Sequence, residues 1–380
     1  MEKRRDLVSS RSPPKCPNFF KFIYRDLEPW FETWISIDII TKAKKQAAFR
    51  AVIVEGKLFV YTGMVPDVDI MFDFMDKPSN RVKNGSLPLP LLRYCTTEAH
   101  LDIPFPDCNF IIWGYKGLQI TCCGLSPRPE VNKQPWDVQF KKIKQGSQAQ
   151  TWAKKIARAH WKGNPDVESP IRMDLMQCND TNLWGTEIIR QNWTEEAKAG
   201  YEHSKLSDQF IRYMLKAMPW PVPKLNYWPV SSVDLCRSIK FAVDWGNTNP
   251  SKVEAIGKSA QQLMGSISMD RVYDYMFHLM SQYAKLQDFK PVPPSSAQQV
   301  CEEPLLCFAD EKQKEVLKES AVTAVSSTPS CTLIRRPNPD FFNIWAEQKQ
   351  KMIDFFSIRK SYFFQFRVIL VNSNYQFDFQ

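Results

Sequence analysis

Hydrophobic positions recur at helical spacing along much of the chain. In the stretch 16–30, Phe19, Phe20, Ile23 and Leu27 fall on one side of a helical projection, which predicts an amphipathic helix that ends at the next proline. The same period recurs in further stretches, which predict helices over 38–47, 136–145, 149–158, 194–202, 233–244, 251–266 and 269–287.

The stretch 269–287 shows this pattern over its whole length. Its spaced apolar and aromatic residues are typical of a helix face that packs in a core, and we expect them to be core residues rather than site residues. They are Val272, Tyr275, Met276, Leu279 and Tyr283.

Short apolar runs bounded by turn residues predict strands. The runs 48–54 and 57–61, joined through Glu55 and Gly56, predict a hairpin. Residues 68–74 and 186–191 predict single strands. Two apolar segments with prolines, 87–95 and 100–110, predict strands with loops between them.

The stretch 160–172 predicts a loop that leads into a helix. Gly163 and the pair Asn164-Pro165 interrupt regular structure. Ser169 is a good N-cap, and Pro170 suits the first position of a helix. The helix that follows is predicted to place its apolar residues on one face: Ile171, Leu175 and Met176.

The start of this helix is a candidate anion site. Its free N–H groups and positive dipole end favour an anion such as a diphosphate, and Lys162 and Arg172 add cations. Asp166 and Glu168 would repel an anion, and short motifs match by chance. The local pattern alone therefore favours an ordinary capped surface helix.

Composition excludes several classes of protein. Hydrophobic residues make up 43% of the chain and charged residues 24%, which predicts a packed core and not global disorder. The net charge is +9, but the basic residues are scattered and no nucleic-acid module is visible, so no nucleic-acid partner is predicted.

Cysteine and histidine usage argues against a metal site. No cysteine lies in a CxxC pair and only four histidines are present, so no zinc site is predicted. No motif in the sequence leads us to predict a cofactor. Disulfides are possible, and Cys301 with Cys307 is one local candidate. Asp67-Val-Asp69 has the form of a metal-binding DxD motif. However, Pro66 places Asp67 at a strand start and Asp69 then alternates to one face of the strand, so the motif is discounted.

Signals for targeting are sparse. Residues 1–15 are basic and polar without an apolar core of a signal peptide, and no run of about 18 apolar residues is present. Sequons for N-glycosylation occur at Asn84, Asn179 and Asn192, which suit a lumenal protein but also arise by chance.

Several blocks in a fixed order resemble one known family. They are "CPNFFKFIYRDLEPW", "HWKGNPDV" with "SPIR", "CRSIKFAVDWGN", "MDRVYDYMFHL" and "YAKLQDFKPVPP". Together they are similar to the plant branch of glycosyltransferase family 90, the Rumi-type protein O-glycosyltransferases, in patches from Cys16 to about Cys331. The resemblance implies an α/β fold of the GT-B type with two Rossmann-type halves, which we expect to be incomplete in this chain.

The resemblance also implies an activity. Family members transfer glucose or xylose from UDP-glucose or UDP-xylose to a hydroxyl of a protein or glycan acceptor, by metal-independent inverting transfer in the endoplasmic reticulum or Golgi. They usually carry an N-terminal signal or anchor. We therefore expect either a truncated start, with membrane association only through the missing anchor, or a cytosolic product.

Site residues are carried over from the family motifs. Asp76, just past the predicted strand 68–74, matches the catalytic base, which takes the proton of the acceptor hydroxyl during attack. The resemblance implies that the leaving diphosphate meets the stretch formed by "HWKGNPDV" and "SPIR"; the residues concerned are Trp161, Lys162, Gly163, Asn164, Ser169 and Arg172. Asp102 and Asp107 would border the acceptor. Turn chemistry is the alternative for all three aspartates.

The chain departs from the family pattern in three places. After Tyr61 a helix that would connect two parallel strands is absent, although such a crossover needs a dozen or more residues. Residues 115–127 resemble an insertion. Several dozen residues of the donor pocket are absent between Ser207 and Asn226.

These departures leave two functions open. The chain is predicted to be a glycosyltransferase whose activity is in doubt. The alternative is an inactive isoform or a mis-spliced product that at most binds glycan or protein. The predicted organisation is a polar tail, an acceptor-side half, a nucleotide-sugar half, a linker and an atypical tail, over 1–15, 16–150, 151–294, 295–337 and 338–380.

Overall fold

The computed structural model describes the greater part of the chain in separate ranges. They are residues 13–47, 49–54, 67–73, 78–81, 88–97, 99–106, 141, 144–145, 148–149, 151–166, 170–191, 221–232, 234–293, 330–338, 340–354 and 366–368. Within these ranges the protein has a mixed α/β fold, as the resemblance implied.

The described ranges contain both α-helices and β-strands. The α-helices are α1 (Phe22–Asp26), α2 (Ile37–Ala43), α3 (Pro170–Gln177), α4 (Leu235–Thr248), α5 (Pro250–Gly265), α6 (Met269–Ala284) and α7 (Asp340–Asp354). The strands are β1 (Phe49–Ile53), β2 (Val68–Phe72), β3 (Leu91–Arg93), β4 (Ile103–Pro104), β5 (Ala159–Gly163), β6 (Thr186–Arg190), β7 (Trp228–Val230) and β8 (Phe366–Val368).

The first helical stretch is broken into short pieces. The residues 16–30, predicted as one helix, form a 3₁₀ turn at Asn18–Lys21, then α1, then a second 3₁₀ turn at Glu28–Trp30 that contains Pro29. Proline lacks an N–H and cannot continue an α-helical ladder. Even so, the helical spacing was informative, because the spaced side chains of Phe20, Ile23 and Leu27 are fully buried.

Strands β1 to β4 form one sheet in the order β1-β2-β3-β4. β1 is antiparallel to β2, whereas β2, β3 and β4 are parallel. The predicted hairpin partner of β1, residues 57–61, lies outside the described residues. The crossover that the sequence lacks after Tyr61 is not needed between β1 and β2, because only a parallel pair requires one.

Strands β5 and β6 are parallel, and α3 lies between them in the chain. This is a βαβ unit. The prediction of a loop at 160–163 was wrong, because these residues form β5, in which Ala159 and Trp161 are buried and pair with β6. The helix predicted over 149–158 was also wrong, since only the 3₁₀ turn Trp152–Lys154 forms within it. The helix after Ser169 is confirmed as α3, and the strand at 186–191 is confirmed as β6.

Strand β7 pairs antiparallel with β8, which comes from the tail. The three helices predicted in the C-terminal part are confirmed as α4, α5 and α6, within a few residues at each end. In α6, Val272, Leu279 and Tyr283 are buried, and Tyr275 and Met276 pack against the same cluster, as predicted for core residues.

Within the described ranges, buried apolar residues form two clusters. The first joins α1, α2 and the sheet β1 to β4 with Leu279 and Tyr283 in the C-terminal part of α6 and with Leu286 just after it. The second joins β5, β6 and β7 with α3 and α4. The GT-B organisation of two Rossmann-type halves and the proposed residue boundaries of the halves stay predictions.

Among the cysteines that the structure describes, two disulfides cross-link distant parts of the chain. Cys16 is bonded to Cys331, and Cys178 at the end of α3 is bonded to Cys236 in α4. The sequence did not reveal these pairings, and the local candidate, Cys301 with Cys307, lies outside the described residues. Helix α7 packs on α1 through Phe22, whose ring centroid lies 5.0 Å from that of Trp345.

In the part of the chain that the structure describes, no helix has the length and apolar character needed to cross a membrane.

Candidate functional site

The carboxyl ends of β5 and β6 meet at one edge of their sheet. Gly163 pairs with Arg190, the last residue of each strand, and Gln191 N–H donates to Gly163 O at 2.7 Å. In open α/β structures, ligands bind outside this edge, next to the start of the helix that follows the first strand. That helix is α3, so the predicted anion site lies at the edge where the fold favours one.

The turn after β5 is held by its own polar groups. The side-chain Oδ1 of Asn164 accepts the N–H of Asp166 at 2.8 Å, which is an Asx turn. The backbone carbonyl of Asn164 accepts a hydrogen bond from Arg172 Nη1 at 3.0 Å. Arg172, in the first turn of α3, thus lies against the loop that sequence analysis assigned to the diphosphate. Ser169, the predicted N-cap, lies outside the described residues.

Arg190 is a site candidate that sequence analysis missed. Its Nη1 lies 2.5 Å from Asp166 Oδ1, and the two side chains are 48% and 56% exposed. Arg190 lies two residues after the buried Ile188, so it projects to the face of β6 that packs on α3. The sequence held part of this information, because Arg190 is a cation at the end of a predicted strand. It becomes a site candidate only once that strand is known to be parallel to β5.

Lys162 and Trp161 lie on opposite faces of β5. Trp161 is 6% exposed and packs in the second cluster, beneath α3. Lys162 alternates to the other face and is therefore directed away from α3. The structure thus brings Arg172, Asn164 and Gly163 together, adds Arg190, and places Lys162 on the far side of the sheet.

The indole nitrogen of Trp161 is buried without a hydrogen-bond partner among the described residues. A buried N–H donor usually has a partner, because its desolvation is otherwise uncompensated. The indole N–H of Trp161 is therefore a donor that the described residues leave unused.

The acceptor-side candidates lie at the other sheet. Asp102 is 2% exposed, and its carboxylate accepts the N–H groups of Ser79 at 3.0 Å and Asn80 at 3.2 Å. Burial raises the pKa of Asp102, while those hydrogen bonds and the charge of Arg93 oppose the rise. Asp102 thus holds the backbone of residues 79 and 80, which are distant in the chain, and its role beside the acceptor stays a prediction.

A second carboxylate, that of Asp73, shares the neighbouring Arg93 with Asp102. Arg93, at the end of β3, is ion-paired with Asp73, just past β2, and its Nε lies 3.7 Å from Asp102 Oδ1. Asp73 directly follows the carboxyl end of β2, and Asp76 comes three residues later in the chain. Asp76 and Asp107 themselves lie outside the described residues.

The candidates for glycosylation and for metal binding are only partly described. Asn84 and Asn192 lie outside the described residues, whereas Asn179 is exposed and accepts the N–H of Ile188 through Oδ1 at 2.7 Å.

Asp69 of the discounted DxD motif is fully buried and ion-paired with Arg50. Cys16, His278 and Cys331 have potential ligand atoms within 4.8 Å of one another, but the two sulfurs are joined in the disulfide.

In a comparison with known protein families, nearly the whole chain matches one family. Residues 11–62, 60–220 and 220–356 match the family described as Glycosyl transferase family 90 in three consecutive segments. The segments meet at 60–62 and at 220, within or next to the stretches where the sequence departs from the family pattern. The last segment ends at 356, so the family match includes α7 and extends past Cys331, where the resemblance had been placed to end.

A comparison with curated proteins finds no match. The family match alone spans far more than half of the chain and includes the βαβ unit and both hydrophobic clusters. The protein therefore belongs to glycosyl transferase family 90 and contains the glycosyltransferase domain of that family.

Proposed function

We propose that this chain transfers glucose or xylose from UDP-glucose or UDP-xylose to a hydroxyl of a protein or glycan acceptor. The observation that carries the proposal is the edge formed by β5, β6 and α3, where Arg172 and Arg190 flank the turn after Gly163. This edge lies inside the glycosyltransferase domain.

The donor's diphosphate is the group that this edge would bind. Guanidinium groups hold phosphates with two parallel hydrogen bonds, and the N–H groups at the start of α3 add to the positive potential. A diphosphate at this edge would compete with Asp166 for Arg190, since the carboxylate and the phosphate need the same donors.

The proposed reaction is a single displacement at the anomeric carbon. The acceptor oxygen forms a bond to that carbon, the bond from the carbon to the phosphate oxygen breaks, and UDP leaves as an anion. A carboxylate, for which Asp76 is our candidate, takes the proton of the acceptor hydroxyl. The arginines stabilise the charge that develops on the leaving diphosphate, and that function requires no metal ion.

The proposed compartment is the endoplasmic reticulum or Golgi. Disulfides persist in oxidising compartments and are rare in the cytosol. The two bonds Cys16–Cys331 and Cys178–Cys236 support a lumenal location.

The test is calorimetric titration of the purified full chain with UDP and UMP. We expect saturable binding of UDP and weaker binding of UMP, which lacks the second phosphate. Arg190→Ala removes charged hydrogen bonds and should weaken UDP binding by roughly tenfold or more. Arg237→Ala, which removes an equally charged side chain from the exposed surface of α4, is the matched control and should change the affinity less than about twofold.

Two outcomes would overturn the proposal. One is the absence of saturable UDP binding by a folded chain. The other is an equal loss of affinity in Arg190→Ala and Arg237→Ala, which would indicate that general charge and not a site accounts for binding. Arg172→Ala is a second site variant, and its circular dichroism spectrum shows whether loss of the bond to Asn164 has unfolded the turn.

A further inference from the structure

Strand β7 can form a regular ladder along one of its edges only. Its central residue, Pro229, has no N–H, so the edge toward which that N–H would point lacks a donor. The N–H groups of Trp228 and Val230 point to the opposite edge, because donors alternate along a strand. Any partner strand must therefore use the edge that carries Trp228 and Val230.

Strand β8 uses this edge. The antiparallel register pairs Trp228 with Val368, Pro229 with Arg367, and Val230 with Phe366. Hydrogen-bonded and non-hydrogen-bonded pairs alternate in an antiparallel ladder. Since Pro229 cannot donate, its pair with Arg367 is the non-bonded one, and the two outer pairs carry the hydrogen bonds.

The edge of β7 is costly to leave open. Trp228 is 3% exposed and Val230 4% exposed, and both belong to the second cluster. The ring of Trp228 also lies 4.2 Å, between centroids, from that of Trp245 in α4. Buried backbone N–H and C=O groups without partners cost free energy comparable to a lost hydrogen bond. A strand so close to a core therefore needs a partner.

The partner comes from outside the family domain. The match to glycosyl transferase family 90 ends at residue 356, and β8 begins at Phe366. β7 follows residue 220 closely, where two matched segments meet. The ladder therefore joins β7, which lies next to an interruption of the family pattern, to β8, which lies outside the family match.

We propose that β7 is a strand-docking edge and that this chain's own tail, residues 366–368, is its ligand. Docking of an extended segment to a sheet edge relies on main-chain hydrogen bonds, so it depends on register and on N–H groups more than on side-chain chemistry. The tail then acts as a structural part of the second half and shields an edge that would otherwise pair with another chain.

The register allows a proline test with an internal control. Phe366 and Val368 lie in the bonded pairs, so their N–H groups point to β7 and a proline at either position removes a hydrogen bond. The N–H of Arg367 points away from β7, so Arg367→Pro removes none. All three variants are made in the full chain, and each introduces the same residue into the same strand.

The measurement is amide-resolved hydrogen–deuterium exchange. We expect the Trp228 and Val230 amides to be protected in the unmodified chain and in Arg367→Pro. Phe366→Pro and Val368→Pro remove the N–H that donates to the backbone carbonyl of Val230 or Trp228, which weakens docking of the tail. Exchange of the Trp228 and Val230 amides should therefore be faster by roughly tenfold or more. The Trp161 amide in β5 reports on the remaining fold and should exchange at the same rate in all four proteins.

Two results would overturn the proposal. One is that Arg367→Pro accelerates exchange at Trp228 as much as Phe366→Pro does, which would exclude the register. The other is that none of the three prolines changes exchange at Trp228 or Val230, which would show that the tail does not occupy the edge. Neither result concerns UDP binding, so the test is independent of the proposed donor site.

Discussion

Arg190, at the end of β6, is ion-paired with Asp166, in the turn after β5, with 2.5 Å between Nη1 and Oδ1. The pair spans the carboxyl edge of the βαβ unit. In the proposed donor site, Asp166 occupies the guanidinium that a diphosphate would use, so the carboxylate is a competitor of the ligand.

This competition gives the first prediction. Asp166→Asn removes a carboxylate that repels the diphosphate and leaves Arg190 available, so UDP should bind more tightly. An exposed ion pair is worth up to about 1 kcal/mol, which corresponds to a gain in affinity of up to roughly fivefold. Calorimetric titration measures it, and weaker UDP binding in Asp166→Asn would contradict the role of Arg190.

A matched control is available on α4. Asp244 forms an exposed ion pair with Lys240, also at 2.5 Å. Asp244→Asn therefore removes the same charge and the same kind of contact, but away from the turn after β5. Its UDP affinity should equal that of the unmodified chain.

The second prediction concerns two glycines at which substitution by alanine should change the stability of the fold in opposite directions. Gly185 precedes β6 with φ +66°, and an added Cβ would lie 3.0 Å from Val243 Cγ1. Gly185→Ala should destabilise the fold by about 1 kcal/mol or more, because alanine is strained at a positive φ and its Cβ would lie too close to Val243. The melting temperature measures the loss, and an unchanged value would contradict the backbone geometry at Gly185.

The comparison variant is Gly257→Ala. Gly257 lies inside α5, and an added Cβ would be in ordinary contact with Trp152, 3.7 Å away. Alanine in a helix interior is more favourable than glycine by roughly 0.5–1 kcal/mol, so this variant should melt at a higher temperature. The two glycine substitutions should therefore shift the melting temperature in opposite directions.

The third prediction is a pH dependence that arises from His278. Burial lowers the pKa of His278, although the Cys331 carbonyl 2.7 Å from Nε2 and the charge of Asp274 oppose this. The unfolded chain then binds a proton to this histidine at a higher pH than the folded chain does. The stability that neutral His278 contributes is therefore fully present above the pKa of histidine in the unfolded chain, about 6.5. It is lost as the pH falls below that value toward the lower pKa of His278 in the folded chain.

His278→Gln should reduce this loss. The difference in melting temperature between about pH 7.5 and about pH 5 should be smaller in the variant than in the unmodified chain. His100→Gln removes another histidine, which contacts Thr97 in a surface turn, and serves as the control. A pH dependence that is identical in the unmodified chain and in His278→Gln would exclude the effect.

The fourth prediction compares the two disulfides. Cys16–Cys331 spans 315 residues and Cys178–Cys236 spans 58. Removal of a native disulfide typically costs about 2–5 kcal/mol, and the chain-entropy account makes the longer loop more costly by roughly 1.5 kcal/mol. The double variant Cys16→Ser with Cys331→Ser should therefore melt at a lower temperature than Cys178→Ser with Cys236→Ser. The reverse order would show that local packing and not loop length dominates.

Much of the fold could be predicted from local pattern. The periodic stretches that became α4, α5 and α6 were assigned correctly, because each buries one continuous face and its spacing is visible in the sequence. Residues 160–163 were assigned incorrectly. Their role as β5 depends on pairing with β6, some two dozen residues later, and no local signal reports a partner of that kind.

The candidate site shows the same division. Arg172 and Asn164 were found because they lie in one motif of contiguous residues. Arg190 was not found, because its place beside Gly163 follows from the parallel register of two strands. The direction of Lys162, away from α3, also depends on the strand that replaced the predicted loop.

The disulfide between Cys16 and Cys331 closes the polypeptide into a covalent ring, in which the backbone groups of residues 14–16 and 332 are also hydrogen-bonded. A protease that cuts one peptide bond inside this ring opens it without releasing a fragment. A single cut would therefore leave the apparent mass unchanged until the sulfurs are reduced. With these two disulfides, a piece is freed by two cuts on the ring that both lie outside, or both lie inside, the smaller loop closed by Cys178 and Cys236.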